Sequence, residues 1–158
     1  MNRYDEGLEL INKSCGNGKD NVISVATIST TLSGEGLPCP CVREVDAYYE
    51  KGVFYITTYG LSNKIIQIQQ NKNISFSVAF EGITGIGYGE NLGWVLDPKN
   101  AEIRLRVREA FKDWYDQANY EPSQDCVILA LHITQAYIFR DHGATQYKLD
   151  LVNQCEIK

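Results

Sequence analysis

Residues 52–71, GVFYITTYGLSNKIIQIQQN, constrain the fold most, because an alternating strand runs through a short polar turn straight into an amphipathic helix. Val53 to Tyr59 places Phe54, Ile56 and Thr58 on one face and Val53, Tyr55 and Thr57 on the other. Ser62 is positioned to cap a helix over about residues 63–71, with Ile65, Ile66 and Ile68 turned to the sheet and Asn71-Lys72-Asn73 ending it. This order gathers two Thr hydroxyls, a helix N-terminus and the Lys64 ammonium, which together can hold a phosphate. An anion at such a helix start gains ~1 kcal/mol before Lys64 adds its own attraction. The expected ligand is a phosphorylated small molecule.

Most of the remaining chain reads as strands. Tyr4, Leu8 and Ile11 predict a short amphipathic helix over residues 2–13, a lid or clasp ended by Gly16-Asn17-Gly18. Val22 to Thr31 is dense in β-branched residues, Ser33 to Gly36 is a turn, and Cys39 to Tyr49 is the second strand. After the third strand and its helix, Ile74 to Phe80 forms a fourth and Thr84 to Leu96 a fifth. Gly85, Gly87, Gly89 and Gly93 punctuate that fifth strand. No helix opens directly after them, so a dinucleotide fingerprint fails, and bulges or close approach of another backbone account for them better. Asp97-Pro98 starts a helix running to about Tyr115, with Ile103, Val107, Ala110, Phe111 and Trp114 on its apolar face. Arg104, Arg106, Arg108 and Lys112 interleave with Glu102, Glu109, Asp113 and Asp116, the pattern of a solvated face and not of a nucleic-acid surface. Cys126 to Phe139 is the last long strand, and Tyr147, Leu149 and Leu151 suggest an extended tail. Six antiparallel strands, with a helix between the third and fourth and another before the last, predict a mainly β Greek-key barrel. A doubly wound sheet would need a helix after nearly every strand.

The 158 residues suit a single domain, with the N-terminal helix at 2–13, a barrel over about 20–140 and a tail at 141–158. A net charge of −5, with 15 Lys and Arg spread along the chain, argues against nucleic acid or an anionic membrane as partner. Without a signal-peptide core or a bilayer-length apolar run, the expectation is a soluble cytoplasmic protein. Five cysteines, an odd number at irregular spacing, point to reduced thiols. Cys39-Pro40-Cys41 with His132 and His142 lacks a second Cys pair or an H-x₃₋₅-H to close a tetrahedral metal site, so Cys41 is read as a strand residue and Cys126 as core. His132, inside an apolar strand, reads as a hydrogen-bonded structural imidazole and His142 as solvated. No Ser-His-Asp or Cys-His constellation can be assembled. A phosphate grip with few catalytic groups points to borrowed chemistry, in which a cofactor reacts and the fold positions it.

Taken in order, VISVATIST, Val42-Arg43-Glu44-Val45, Phe54-Tyr55-Ile56-Thr57-Thr58, Ser62-Asn63-Lys64 with Gln67 one turn later, and the helix end at Asn71 resemble a known family. It is that of the FMN-binding split barrels related to pyridoxamine 5'-phosphate oxidase, and the likeness covers about residues 20–140. The resemblance implies a six-stranded antiparallel split barrel that pairs as a homodimer with FMN at the subunit interface. It implies that Lys64 and Ser62 hold the phosphate, that Arg43, Glu44 and Val45 line the flavin by side chain and backbone, and that Thr57 and Thr58 contact ribityl, phosphate or ring edge. Gln67 belongs to the same motif, and Thr84 stands near the position from which a partner subunit reaches the cofactor. Asn63 replaces a frequent Arg, which removes one cation from the phosphate site. Residues 143–158 contain no counterpart of the C-terminal Trp and Arg-x-His of true pyridoxamine phosphate oxidases, so that activity is not expected.

The function expected is a flavin-dependent oxidoreductase or flavin reductase taking electrons from a reduced nicotinamide to a small acceptor. One alternative is a non-catalytic binding or sensing module for FMN, haem or a deazaflavin. A cofactor-free dimer is a third reading, against which the intact Ser62 to Lys64 turn stands.

Overall fold

A computed structural model describes residues 1–158, apart from the side chains of residues 31 and 32. The elements are α1 (Arg3–Cys15), β1 (Asn21–Leu32), β2 (Pro38–Glu50), β3 (Val53–Tyr59), α2 (Asn63–Gln70), β4 (Asn73–Val78), β5 (Ile83–Trp94), α3 (Ala101–Ala110), α4 (Tyr115–Ala118), β6 (Cys126–Arg140), β7 (Thr145–Asp150) and β8 (Cys155–Glu156). All strand pairs are antiparallel, in the order β3-β2-β1-β4-β5-β6, and pairing of β3 with β6 closes these six into a barrel. β7 and β8 extend the sheet past β6. The tail expected to be merely extended is thus a paired ribbon, and α1 packs on it and on β2.

Period-two patterning produces the barrel interior. On β1, Ile23, Val25, Thr27 and Ser29 are buried, and on β3 Phe54 and Ile56 are. Ile23, Val25, Phe54 and Ile56 form one core with Phe76, Ile83, Leu129 and Leu131, completed by Tyr4, Ile11 and Cys15 of α1 and by Ile65 and Ile68 of α2. Each fully buried Ile or Phe side chain contributes about 1.5–3 kcal/mol. Ile66 lies about 100° round the helical wheel from Ile65, on the side away from Ile68, and is exposed, so the inward face of α2 is narrower than the sequence suggested.

A second core lies between the outer face of the barrel and α3–α4, where Val107, Phe111 and Tyr115 cover Tyr48 and Ile128. The helix expected through Tyr115 is interrupted. α3 stops at Ala110, Phe111 turns into this core, and the Trp114 indole N–H donates to Asp20 at 2.8 Å.

β5 carries irregularities at Ile86/Gly87 and Asn91/Trp94, where the glycines placed them. A Cβ on Gly87 would sit 1.9 Å from the His132 carbonyl oxygen, and one on Gly89 would strike Ile68 at 2.7 Å. The first glycine admits the neighbouring backbone; the second seats α2 on the barrel. β4 ends at Val78, short of the expected Phe80, which is exposed in the following turn with φ 62°. Among the described residues no helix is long and apolar enough to cross a membrane.

Candidate functional site

Thr58 is the last inward-facing residue of β3 before the chain turns into α2. Antiparallel pairing sets Thr58 opposite Val127, a residue of the barrel core, and sets Thr57 opposite Ile128, a residue of the outer core. The Lys64 ammonium reaches back across the turn and donates to Thr58 Oγ1 at 2.8 Å and to Ser62 Oγ at 3.4 Å. Ser62 occupies the N-cap position of α2, yet its hydroxyl makes no capping bond. The first turn of α2 therefore keeps N–H groups that no side chain caps, beside an ammonium.

Arg43 projects from β2 onto the same inward face, opposite Val25. Its guanidinium donates to Thr27 Oγ1 at 2.6 Å, the Cys41 carbonyl at 2.9 Å and Gln67 Oε1 at 2.9 Å. The Thr27 hydroxyl donates to the same Gln67 oxygen. Gln67 lies one turn beyond Lys64, so this network fastens α2 to β1 and β2. Thr27 is a member the sequence reading missed. Its signal is a hydroxyl that follows Ile23 and Val25 on the inward face of β1.

Electrostatics distinguish this corner from the rest of the molecule. Among the described residues, Arg43 and Lys64 are the two partly buried cations without a carboxylate partner: Arg104, Arg108 and Arg140 are partly buried but ion-paired, and the other cations without an ion pair, Lys13, Lys51, Lys72, Lys99, Lys148 and Lys158, are exposed. Burial, and then the nearby Arg43 charge, lowers the Lys64 pKa below the ordinary lysine value. Burial likewise lowers that of Arg43. Two desolvated cations that repel each other, with hydroxyl and backbone donors around them, match the donor set of a dianionic phosphate.

The other expected site residues divide. Val45 shares the Arg43 face and packs against the barrel core. Asn63 is exposed on the first turn of α2. Glu44 is exposed on the opposite face of β2, and its side chain lines a different cavity with Lys19 and Phe80. The Thr57 hydroxyl is buried beside the Tyr115 phenol, away from Lys64. Thr84 is exposed near the start of β5. Strand alternation explains the Thr57 and Glu44 positions, since a motif of consecutive residues cannot send all of its side chains to one face.

β2 pairs with β3 only over Tyr48 to Glu50. Its outer edge from Pro38 to Ala47 thus leaves alternate backbone donors and acceptors open beside Arg43. On the far side of Thr58, a groove of about 320 Å³ is lined by Thr58, Tyr59, Asn119, Tyr120 and Asp125. Its loop wall is held by Glu121, whose carboxylate takes hydrogen bonds from Arg104 Nε at 2.9 Å and the Tyr115 hydroxyl at 3.0 Å and an ion pair from Arg108 at 3.1 Å. Arg104 and Arg108 thus form part of an anchored network where a solvated helix face was expected. A cavity of about 440 Å³ at the other end of β3 includes His132, which is bonded to Glu90 at 2.8 Å and stacked on Tyr88, as a structural imidazole would be.

No protein-family model matches the sequence, and no curated protein does. Solved structures do match. A pyridoxamine 5'-phosphate oxidase-related, FMN-binding protein from Nostoc punctiforme is 15% identical, with 94% of this chain and 89% of that one covered at a TM-score of 0.57. A protein from Clostridium acetobutylicum, of the pyridoxinephosphate oxidase family and related to general stress protein 26, is 14% identical, with 98% and 100% covered at a TM-score of 0.60. The fold is that of these split barrels. A heme binding protein from Mycobacterium smegmatis shares it at 13% identity and a TM-score of 0.67, with 98% of this chain covering 60% of that one.

Proposed function

We propose that this protein is an FMN-binding flavoprotein, an oxidoreductase or flavin reductase that passes electrons from NAD(P)H to a small acceptor. The observation that carries the reading is the pair of half-buried cations, Arg43 and Lys64, free of any carboxylate and surrounded by phosphate-compatible donors. Lys64, Ser62, Thr58 and the first turn of α2, including Asn63, would hold the phosphate. Arg43, kept in place by Thr27 and Gln67, would add the second charge. The open edge of β2 at Glu44 and Val45 would offer backbone hydrogen bonds to a planar heterocycle, so that Glu44 acts through its main chain. Thr57 takes a supporting place beneath this floor. A bound flavin supplies hydride and electron transfer, and the protein supplies orientation and charge.

The same reading assigns a homodimer with FMN at the subunit interface. Support comes from the long unpaired edge of β2, which leaves one side of the site uncovered by its own chain. Thr84 would meet the cofactor of the partner subunit. Light scattering at micromolar concentration is expected to give twice the chain mass, and a monomer mass contradicts this assignment.

A second reading is a binding or sensing module for FMN, haem or a deazaflavin. It is favoured by one observation, that among the described residues no carboxylate or imidazole is hydrogen-bonded to Arg43 or Lys64. The absorbance spectrum of the purified protein separates the two. A flavin spectrum that responds to NADH or NADPH under anaerobic conditions supports the oxidoreductase. A flavin that no nicotinamide reduces, or a haem or deazaflavin spectrum, supports the binding module.

A further inference from the structure

Cys39 and Cys41 lie two residues apart on β2, and the pairing register puts them opposite Ser29 and Thr27, two buried residues of one β1 face. The two thiols therefore project from the same side of the strand. Both are free and partly exposed, in contrast to the buried Cys15 and Cys126. Each makes a weak local hydrogen bond, from Cys39 Sγ to the Leu37 carbonyl and from Cys41 Sγ to the Cys39 carbonyl, both 3.9 Å.

We propose that Cys39 and Cys41 form a two-coordinate chelate for a soft monovalent ion of the Cu(I) class. Residues two apart on a strand have Cα atoms ~6.6 Å apart. A metal held at ~2.3 Å by each sulfur needs the sulfurs no farther than ~4.6 Å apart. Rotation of both side chains toward each other closes that difference without moving the backbone. The backbone is also stiff. Pro38 and Pro40 fix their own φ angles, and the residue before a proline is held extended. Pro40 is tolerated there because β2 has no neighbour on its outer edge at that point.

The chemistry selects the ion. Among the described residues no group of three or more His, Cys, Asp or Glu is placed to hold a metal, so a tetrahedral zinc site is not available. Two thiolates suffice for a soft ion that accepts low coordination. On binding, two S–H bonds are replaced by two S–metal bonds and both protons leave to solvent, with no change of oxidation state. Arg43, next along the same face, sets a cation beside the resulting anionic centre. Neither thiol takes part in the cofactor assignment above, so the chelate does not rest on it, although Arg43 stands between the two sites.

The test is an anaerobic titration with Cu(I) against a chromophoric Cu(I) chelator, in a Cys155→Ser background that removes the remaining exposed thiol. One equivalent per chain is expected. Because the second thiol acts at an effective concentration of millimolar or more, Cys39→Ser or Cys41→Ser is expected to weaken binding at least ~10-fold. Far-UV circular dichroism checks that each variant stays folded. Wild-type affinity in either single variant, or in Cys39→Ser/Cys41→Ser, overturns the proposal, because the thiols would then act separately or the ion would sit elsewhere.

Discussion

Lys64 Nζ stands 2.8 Å from Thr58 Oγ1, so the first turn of α2 is tied to the last inward-facing residue of β3 by an ammonium that no carboxylate neutralises. A cation in that position is costly in the free protein, because burial and Arg43 both disfavour its charge. A bound phosphate reverses that cost. The most informative properties of the site follow from this relationship.

One consequence is a pH dependence of defined sign. The folded-state pKa of Lys64 lies below the ordinary 10.5, so rising pH removes its proton earlier than in the unfolded chain. FMN affinity should therefore be full below the lowered pKa and fall as pH climbs through the window beneath 10.5. The Lys64 contribution to the stability of the cofactor-free protein should rise over the same window, as the disfavoured charge is lost. Flavin titrations across that range test this, and a profile unchanged by Lys64→Met assigns the pH effect to another group.

Close backbone approach at Gly87 gives a stability prediction. Gly87→Ala should cost about 2–3 kcal/mol, because the added Cβ meets a carbonyl oxygen at 1.9 Å and the strand must move. That corresponds to a Tm lower by roughly 4–12 °C. Gly34→Ala, where an added Cβ meets nothing within 4 Å, is the control and should leave Tm in place. Equal melting temperatures for the two variants would remove the packing explanation.

The Glu121 network makes a third. Glu121→Gln should lower stability by about 1.5–3 kcal/mol at neutral pH, the scale of hydrogen bonds to a charged group. The Arg104 hydrogen bond holds the Glu121 carboxyl below its usual range. This stabilisation is present above the unfolded-state pKa and is lost as pH falls through the lower folded value. Denaturant titrations at neutral and acid pH should therefore show the gap between wild type and Glu121→Gln narrowing in acid. A constant gap would mean that Glu121 acts by packing alone.

The sequence made the barrel legible because its signals are local. β-branched runs, the alternation of Val53 to Tyr59, and the glycines of the fifth strand each specify a strand or bulge without reference to distant residues. The features it concealed are relations between segments far apart in the chain. Thr27 bonds to Gln67, 40 residues on, and Trp114 bonds to Asp20, 94 residues back. Nothing in the local pattern of either segment encodes such a pairing. Lys64 and Ser62 were legible from one strand–turn–helix segment, whereas Arg43 and Gln67 joined them only through what the family resemblance implies. Thr57 and Glu44 were placed with them because a motif is read as consecutive residues, whereas a strand sends neighbours to opposite faces. The interruption between α3 and α4 was hidden for a similar reason: Phe111 and Trp114 continue the helical spacing, and only the outer core they enter explains the break.

The most direct measurement is a parallel titration of wild type and Lys64→Ala with FMN and with riboflavin, followed by flavin fluorescence. Loss of a charge-assisted phosphate contact predicts an FMN dissociation constant raised about 10- to 150-fold, equivalent to about 1.5–3 kcal/mol. Riboflavin, which has no phosphate, should bind both proteins alike. An equal loss for both ligands, or wild-type FMN affinity in Lys64→Ala, contradicts the assignment of this corner as the phosphate site.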